Sequence, residues 1–347
     1  MILAMSPYLK TCASVVIAAV CIWAVRGSFS VEQQPAQSET SSHSQWADLS
    51  LDKQQFNDVT PVPSDTYYYG GSTTWAPIRR DVDSQLFAAV PTFRLKYRDP
   101  KPGSGETPGS GTGIRMLLDG ELNFSQSSRP VKDKEQAKAR LQGFNLRQIP
   151  VALDGIAIAV HPSLAIDGLT LEQLRRIYTG QINNWQAVGG PNLAIVPYSR
   201  RQEDGGTVEF FLEEVIEGSF GNNVQFARDT TDGLRKAGRD LGGIYYGSAP
   251  EVVGQCTVKP LALGEKTGQW VAPYTLPYIP QKDCPRYRNR LNSQAFQEGT
   301  YPITRELYVI VKEGSDLETA GKAYAELLLT EEDQKFIEKA GFVRIRD

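Results

Sequence analysis

Short apolar runs bounded by glycine, proline or charge punctuate the chain at 156–160, 194–198, 244–246 and 307–311. Their length and their content of branched and aromatic residues predict buried strands. Tyr67, Tyr68 and Tyr69 predict another strand, the first of the folded part. Between the runs, apolar positions recur at helical spacing. Thr170 and Gln173 form a capping box ahead of Leu171, Leu174, Ile177 and Tyr178, and Gly180 ends that helix. Thr330 caps a second helix, with Phe336 and Ile337 turned inward and Gly341 at its end. Strands alternating with helices predict an α/β protein with largely parallel sheets. No repeat of fixed period is present. Residues 98–113, rich in Gly, Pro and Ser, predict one unusually long loop.

The amino end differs from the rest. Residues 11–25 (TCASVVIAAVCIWAV) are uncharged and mostly apolar, between Lys10 and Arg26. As a helix this run spans only about 22 Å, short of the roughly 30 Å hydrocarbon core. That length fits the apolar region of an export signal within residues 1–30, cleaved after Gly27 or Ser30; the other reading is an uncleaved membrane anchor. Residues 31–60 are rich in Gln, Ser and Glu and predict a flexible linker, with His43 a solvated residue inside it. Roughly 290 residues remain to fold. The expected location is outside the cytoplasm, periplasmic or otherwise extracytoplasmic, either free or tethered by residues 11–25.

Composition narrows the chemistry. The chain has 347 residues, 37 Lys+Arg against 40 Asp+Glu, and a net charge of −3. With 40% hydrophobic and 22% charged residues it has the material for real cores. The balanced charge, without a basic block, excludes a nucleic-acid binder. Two histidines, His43 and His161, and four cysteines cannot assemble a zinc or haem site or an obvious hydrolase triad. His161 reads as a turn residue before Pro162. No metal, cofactor or catalytic residue is expected. Cys12 and Cys21 belong to the apolar leader, which leaves Cys256 and Cys284 as the pair in the folded part. In an oxidising compartment they are expected to form a disulfide rather than remain two free thiols.

A recurrence carries the functional signal. Gly70-Gly71-Ser72-Thr73-Thr74 precedes a helix running through Ile78, Val82 and Leu86. Gly109-Ser110-Gly111-Thr112-Gly113 precedes Ile114 to Leu118, and Asp204-Gly205-Gly206-Thr207 precedes Val208 to Ile216. At a helix amino terminus the first N–H groups are unpaired and the dipole places about half a positive charge. Glycine admits a ligand to the backbone, and hydroxyls add rotatable donors, so such termini suit tetrahedral anions. Each cluster taken alone is also an ordinary cap or turn. None is a Walker loop or a dinucleotide fingerprint. Arg200 and Arg201, ahead of Gly205, and Arg129, after Ser127 and Ser128, are candidate cationic help or plain surface charge.

The order and content of these segments resemble the phosphate-binding proteins of ABC-type phosphate uptake systems, the PstS-like branch of the type II periplasmic binding proteins. The resemblance lies in GGSTTWAPI (70–78), GSGTGIRMLLDGELNFSQSSRP (109–130) and DGIAIAVHPS (154–163). It continues in GLTLEQLRRIYTGQINNWQAVGG (168–190), IVPYSRRQEDGGTVEFF (195–211), GGIYYG (242–247) and YPITRELYVIVKEG (301–314). It implies two α/β lobes joined by hinge crossover strands, closing like a Venus flytrap on a dehydrated anion. Lobe one would hold 61–155 and 249–347, the latter with an excursion closed by the disulfide; lobe two would hold 156–248. The implied anion contacts are Thr73, Thr74, Ser110, Ser128, Arg201, Gly205, Gly206 and Thr207. The implied function is a non-catalytic, single-subunit receptor that captures inorganic phosphate or a similar oxoanion for the membrane subunits of an ABC permease. A membrane-anchored phosphate sensor or scavenger without a transport partner is the alternative.

The chain departs from the family in two places. Ser128 stands where well-studied members carry an aspartate that accepts the phosphate proton, and Asp204 is a candidate replacement. Gly205-Gly206-Thr207 stands where Ser-Gly-Thr is frequent, which removes one hydroxyl donor.

Overall fold

The computed structural model describes residue 49, residues 52–202 and residues 205–345. The leader, most of the linker, Cys12, Cys21, His43 and Asp204 lie outside the described residues.

The first folded part runs β1 (Asp65–Gly71), α1 (Ala76–Ala89), β2 (Phe93–Tyr97), α2 (Ser110–Leu118), β3 (Phe124–Ser127), α3 (Asp133–Leu141) and β4 (Asn145–Val160). The chain continues through β5 (Gly168–Thr170), α4 (Leu171–Tyr178), β6 (Val196–Ser199), α5 (Gly206–Phe211), β7 (Gln225–Phe226), α6 (Thr230–Arg239), β8 (Gly243–Ser248), α7 (Ala249–Val252) and β9 (Lys259–Gly264). It closes with α8 (Ser293–Gln297), β10 (Thr304–Glu313), α9 (Glu318–Leu328), α10 (Glu331–Lys339) and β11 (Val343–Arg344).

β4 organises the molecule because it is long enough to serve two sheets. Its first part, Asn145 to Gly155, pairs antiparallel with β10. Its last part, Ile156 to Val160, pairs antiparallel with β8. On one side the sheet extends from β10 through β3 and β1 to β2; on the other β8 continues through β6 to β7. The βαβ segments are parallel as expected, whereas β10 and β4 run antiparallel to their neighbours. The difference arises because these two long strands carry the chain from one sheet to the other and back.

Hydrophobic clustering follows the same division. One cluster gathers Trp75, Ile78, Val82, Phe124, Ile149, Val309, Tyr324 and Ile337, and a smaller one packs α2 through Ile114 and Leu117 against Ile310. Another gathers Ile158, Leu174, Tyr178, Trp185, Phe211, Ile244 and Tyr246. Val253, Leu261, Phe296 and Ile303 also join this last cluster, although the sequence reading grouped 249–347 with the other lobe. The pairing of β9 with β4 and β5 carries them there.

The local signals translate directly. Thr170 Oγ1 accepts from the Gln173 N–H at 3.1 Å, and the Gln173 side chain accepts from the Thr170 N–H at 2.9 Å, which starts α4 as the capping box requires. Thr330 caps α10 in the same way. His161 is a turn residue whose Nδ1 accepts from the Ser163 N–H. Cys256 and Cys284 form the disulfide. Two expectations change. The loop after Arg98 is shorter, because α2 begins at Ser110. The linker is anchored at its carboxyl end: Phe56 and Val59 are buried with Trp75 and Ile337, and Lys53 and Gln54 carbonyls accept from Glu331 and Glu332 N–H groups. Burying those two side chains outweighs the polar composition around them.

Candidate functional site at the seam between the lobes

Each of the three helix starts is fixed by burial behind it. After β1 the chain makes a single 3-10 turn, Thr73–Trp75, in which Ser72 Oγ accepts from the Thr74 N–H. Trp75 is fully buried, and its indole N–H donates to the Ser127 carbonyl at 3.0 Å, tying that turn to the end of β3. α2 is held by its apolar face. α5 is held by Phe211, which stacks on Tyr246 at 3.7 Å, with Tyr178 edge-on to both rings. Truncating such a buried aromatic costs roughly 3–5 kcal/mol, so the start of α5 has little freedom to drift.

These supports bring the starts together. Ser72 Oγ donates to Ser128 Oγ at 2.9 Å, Ser128 N–H donates to Ser110 Oγ at 3.1 Å, and the Ser110 and Ser128 hydroxyls lie 3.3 Å apart. Across the seam the Thr74 and Thr207 hydroxyls share a hydrogen bond of 3.2 Å. Gly206 faces the serine pair: a Cβ there would stand 2.4 Å from Ser110 Oγ and 2.7 Å from Ser128 Oγ. Gly205 has φ +132°, a conformation that favours glycine, and its missing Cβ would point at Arg200 Nη2 and Thr73 Oγ1, 3.3 and 3.6 Å away. Thr73, Thr74, Ser110, Ser128, Gly205, Gly206 and Thr207 therefore converge from four segments. Arg201 is placed at the surface, its guanidinium over the Phe226 ring at 5.1 Å, and Arg200 is the arginine turned toward Gly205.

Arg129 has a different role from the one its position suggested. It is buried, with Nη2 2.8 Å from Glu135 and Nε 2.7 Å from Glu209 on α5. Burial opposes its charge, but the two glutamates outweigh that and raise its pKa above the ordinary arginine value. Both carboxylates are thereby committed, and Arg129 serves as a strut across the seam.

Two functional candidates escaped the sequence reading. Arg305 on β10 is 4% exposed and Asp154 on β4 is 1% exposed. They face each other in register across the two strands. Arg305 Nη2 and Nε donate to Asp154 Oδ2 at 2.7 and 3.0 Å, and Ser248 Oγ donates to Asp154 Oδ1 at 2.7 Å. Arg305 Nη2 also reaches Thr207 Oγ1 at 3.0 Å and Thr74 Oγ1 at 3.2 Å. The visible signal was a lone Asp154 in IPVALDGIAIAV, and in YPITRELYVIVK an Arg305 that sits beside Glu306 and does not stand out as a charge destined for burial.

Chemically the seam is rich in donors: hydroxyls, N–H groups at helix starts, and the guanidinium groups of Arg200, Arg305 and Arg129, of which Arg305 is paired with Asp154 and Arg129 with two glutamates. Among the described residues no histidine joins these hydroxyls: His161 lies in the turn after β4, its Nδ1 accepting from the Ser163 N–H.

The chain is similar to known proteins over most of its length. Residues 62–332 match the PBP superfamily domain. The phosphate-binding protein PstS of Staphylococcus saprophyticus is 28% identical over 280 residues, covering 79% of each chain. That of Staphylococcus epidermidis is 26% identical over 277 residues, 79% of this chain and 77% of that one. Among solved structures, a Clostridium perfringens protein crystallised with bound phosphate superposes with a TM-score of 0.63 at 21% identity, covering 81% of this chain and all of that one. An ABC-type phosphate transport receptor from Vibrio cholerae gives 0.60 at 22% identity, covering 80% and 99%. The fold is the two-lobed α/β fold of the type II periplasmic binding proteins. The chain belongs to the PBP superfamily.

Proposed function

We propose that this protein is a non-catalytic receptor that captures inorganic phosphate between its lobes and delivers it to the membrane subunits of an ABC-type phosphate permease. One observation carries the reading: hydroxyl and N–H donors from three separate segments, around Thr74, Ser110 and Thr207, meet at one seam. The relatives named as phosphate-binding PstS proteins support the ligand class. A small oxoanion needs its hydration shell replaced by several converging donors, and helix starts supply them without bulk positive charge.

In this reading Thr73, Thr74, Ser110, Ser128, Gly205, Gly206 and Thr207 form the anion contacts, and the nearby cation is Arg200 rather than Arg201. The packing favours a first lobe of 61–155 with the chain after Ile303, and a second lobe of 156–303. Anion bridging both lobes favours the closed state, and the closed pair of lobes is what a permease recognises. The protein works outside the cytoplasm; among the described residues no helix is long and apolar enough to cross a membrane.

Isothermal titration with phosphate, arsenate and sulfate tests the function, using protein unfolded and refolded to strip bound anion. Saturable heat with phosphate is expected. Absence of heat with all three removes the reading.

A further inference from the structure

We propose that Arg305 is a positioning residue of this site and the latch of its closed form, acting through the hydroxyls of Thr74 and Thr207. The ligand's identity rests on the phosphate reading above; the latch does not.

The bonds of Arg305 fall into two kinds. Those to Asp154 run between directly opposed residues of paired strands, so strand register holds them whatever the lobes do. The pair sits where β4 leaves β10 for β8: Gly155 is the last residue opposite β10, and Ile156 the first opposite β8, facing Ser248. Ser248 is the residue that bonds the other oxygen of Asp154. The remaining bonds depend on the lobes. Thr74 precedes Trp75 of one core cluster, and Thr207 precedes Val208 and Phe211 of the other. One guanidinium nitrogen touches both hydroxyl oxygens only when those clusters are brought together. The Arg305 guanidinium also lies 5.5 Å from the Phe210 ring of α5, another contact across the seam.

The arrangement has a chemical consequence. One Nη2 hydrogen goes to Asp154 and the other is shared between the two threonine oxygens, engaging a lone pair on each. With those lone pairs engaged the hydroxyls are left as donors: one O–H spans the 3.2 Å between the two threonines, and the other is directed to an anion beside them. Asp154 keeps the buried guanidinium paired while the lobes are open, when its hydroxyl partners are withdrawn.

The test combines titration of phosphate with small-angle scattering of anion-free protein. Arg305→Met is expected to weaken phosphate binding by roughly 10- to 100-fold, and to enlarge the radius of gyration of the anion-free protein. Thr207→Val should weaken binding too, and the double variant should be no weaker than Arg305→Met alone, because the arginine acts through the threonine. Asp154→Asn should lower Tm without weakening phosphate binding, since it leaves positive charge at the seam; a merely structural ion pair predicts loss in both. If Arg305→Met does not fold, Arg305→Met/Asp154→Asn, which removes both charges together, takes its place. Additive losses from Arg305 and Thr207, or wild-type affinity and scattering in the arginine variant, overturn the proposal. If wild type binds none of the oxoanions, the phosphate reading fails and scattering alone decides the latch.

Discussion

Gly206 lies so close to Ser110 that a single added carbon would stand 2.4 Å from the serine oxygen. The two residues begin different helices, α5 and α2, packed into different clusters, so this contact measures how tightly the seam closes.

Gly206→Ala is therefore expected to hold the lobes apart. Overpacking costs roughly 1–3 kcal/mol, equivalent to roughly a 5- to 150-fold loss of affinity. Titration with phosphate checks the loss. Because the clash arises only across the seam, Tm of the anion-free protein should change little.

On the phosphate reading, Ser128 is the residue expected to bear on anion choice. Its hydroxyl accepts from Ser72 and lies against Ser110, with no fixed carboxylate in this bonded cluster. A hydroxyl tolerates protonated and unprotonated oxygens alike, so sulfate is expected to compete measurably with phosphate. Ser128→Asp should lower sulfate affinity at least tenfold more than phosphate affinity, because a carboxylate repels an anion that brings no proton to share. Competition titrations of the two anions check the ratio.

The half-buried Asp83 and the buried Asp333 contribute a pH dependence. Burial raises the Asp83 pKa to about 6, although bonds from the Tyr69 and Tyr324 hydroxyls and the nearby Arg79 pull it down. Burial raises Asp333 well above the ordinary value too, reinforced by Asp83 and Glu332. For an acid raised on folding, the native state holds more protons than the unfolded one between about pH 4 and the folded pKa. Stability should therefore fall as pH rises from about 4 to 6, at about 1.4 kcal/mol per pH unit for each extra proton bound. Asp81, bonded by Arg80, and Asp232, bonded by the Arg228 N–H, have lowered pKa values and act in the opposite sense below about pH 4. The two windows do not overlap. Glu251, which burial raises to about 7, acts in the same sense, so Asp83→Asn should make the decline shallower without abolishing it, as read by urea denaturation at pH 4.5 and 6.5.

The disulfide closes a separation of 28 residues between Cys256 and Cys284. Loop-closure entropy assigns about 3–4 kcal/mol to a bridge of that span. Cys256→Ser/Cys284→Ser should lower Tm and leave phosphate affinity unchanged, because the seam residues lie in other segments. A drop in affinity would tie this excursion to closure.

Much of the site was legible because hydroxyl and glycine clusters ahead of apolar helical spacing are local signals; Thr73, Ser110 and Gly206 declare themselves within a few residues. Partners that depend on register were not. Arg305 and Asp154 are 151 positions apart in sequence and meet only once β10 and β4 pair. Arg129 and Arg201 looked equivalent beside their loops, and only packing separates a strut bound by Glu135 and Glu209 from a surface guanidinium over Phe226. The same limit applies to Phe56 and Val59, whose polar surroundings gave no hint of the groove that receives them.

Titrating stripped, refolded wild-type protein with inorganic phosphate bears most directly on the central claim. A single saturable site, weakened in Gly206→Ala, is the predicted result. Silence with phosphate, arsenate and sulfate, or full affinity in that variant, would contradict it.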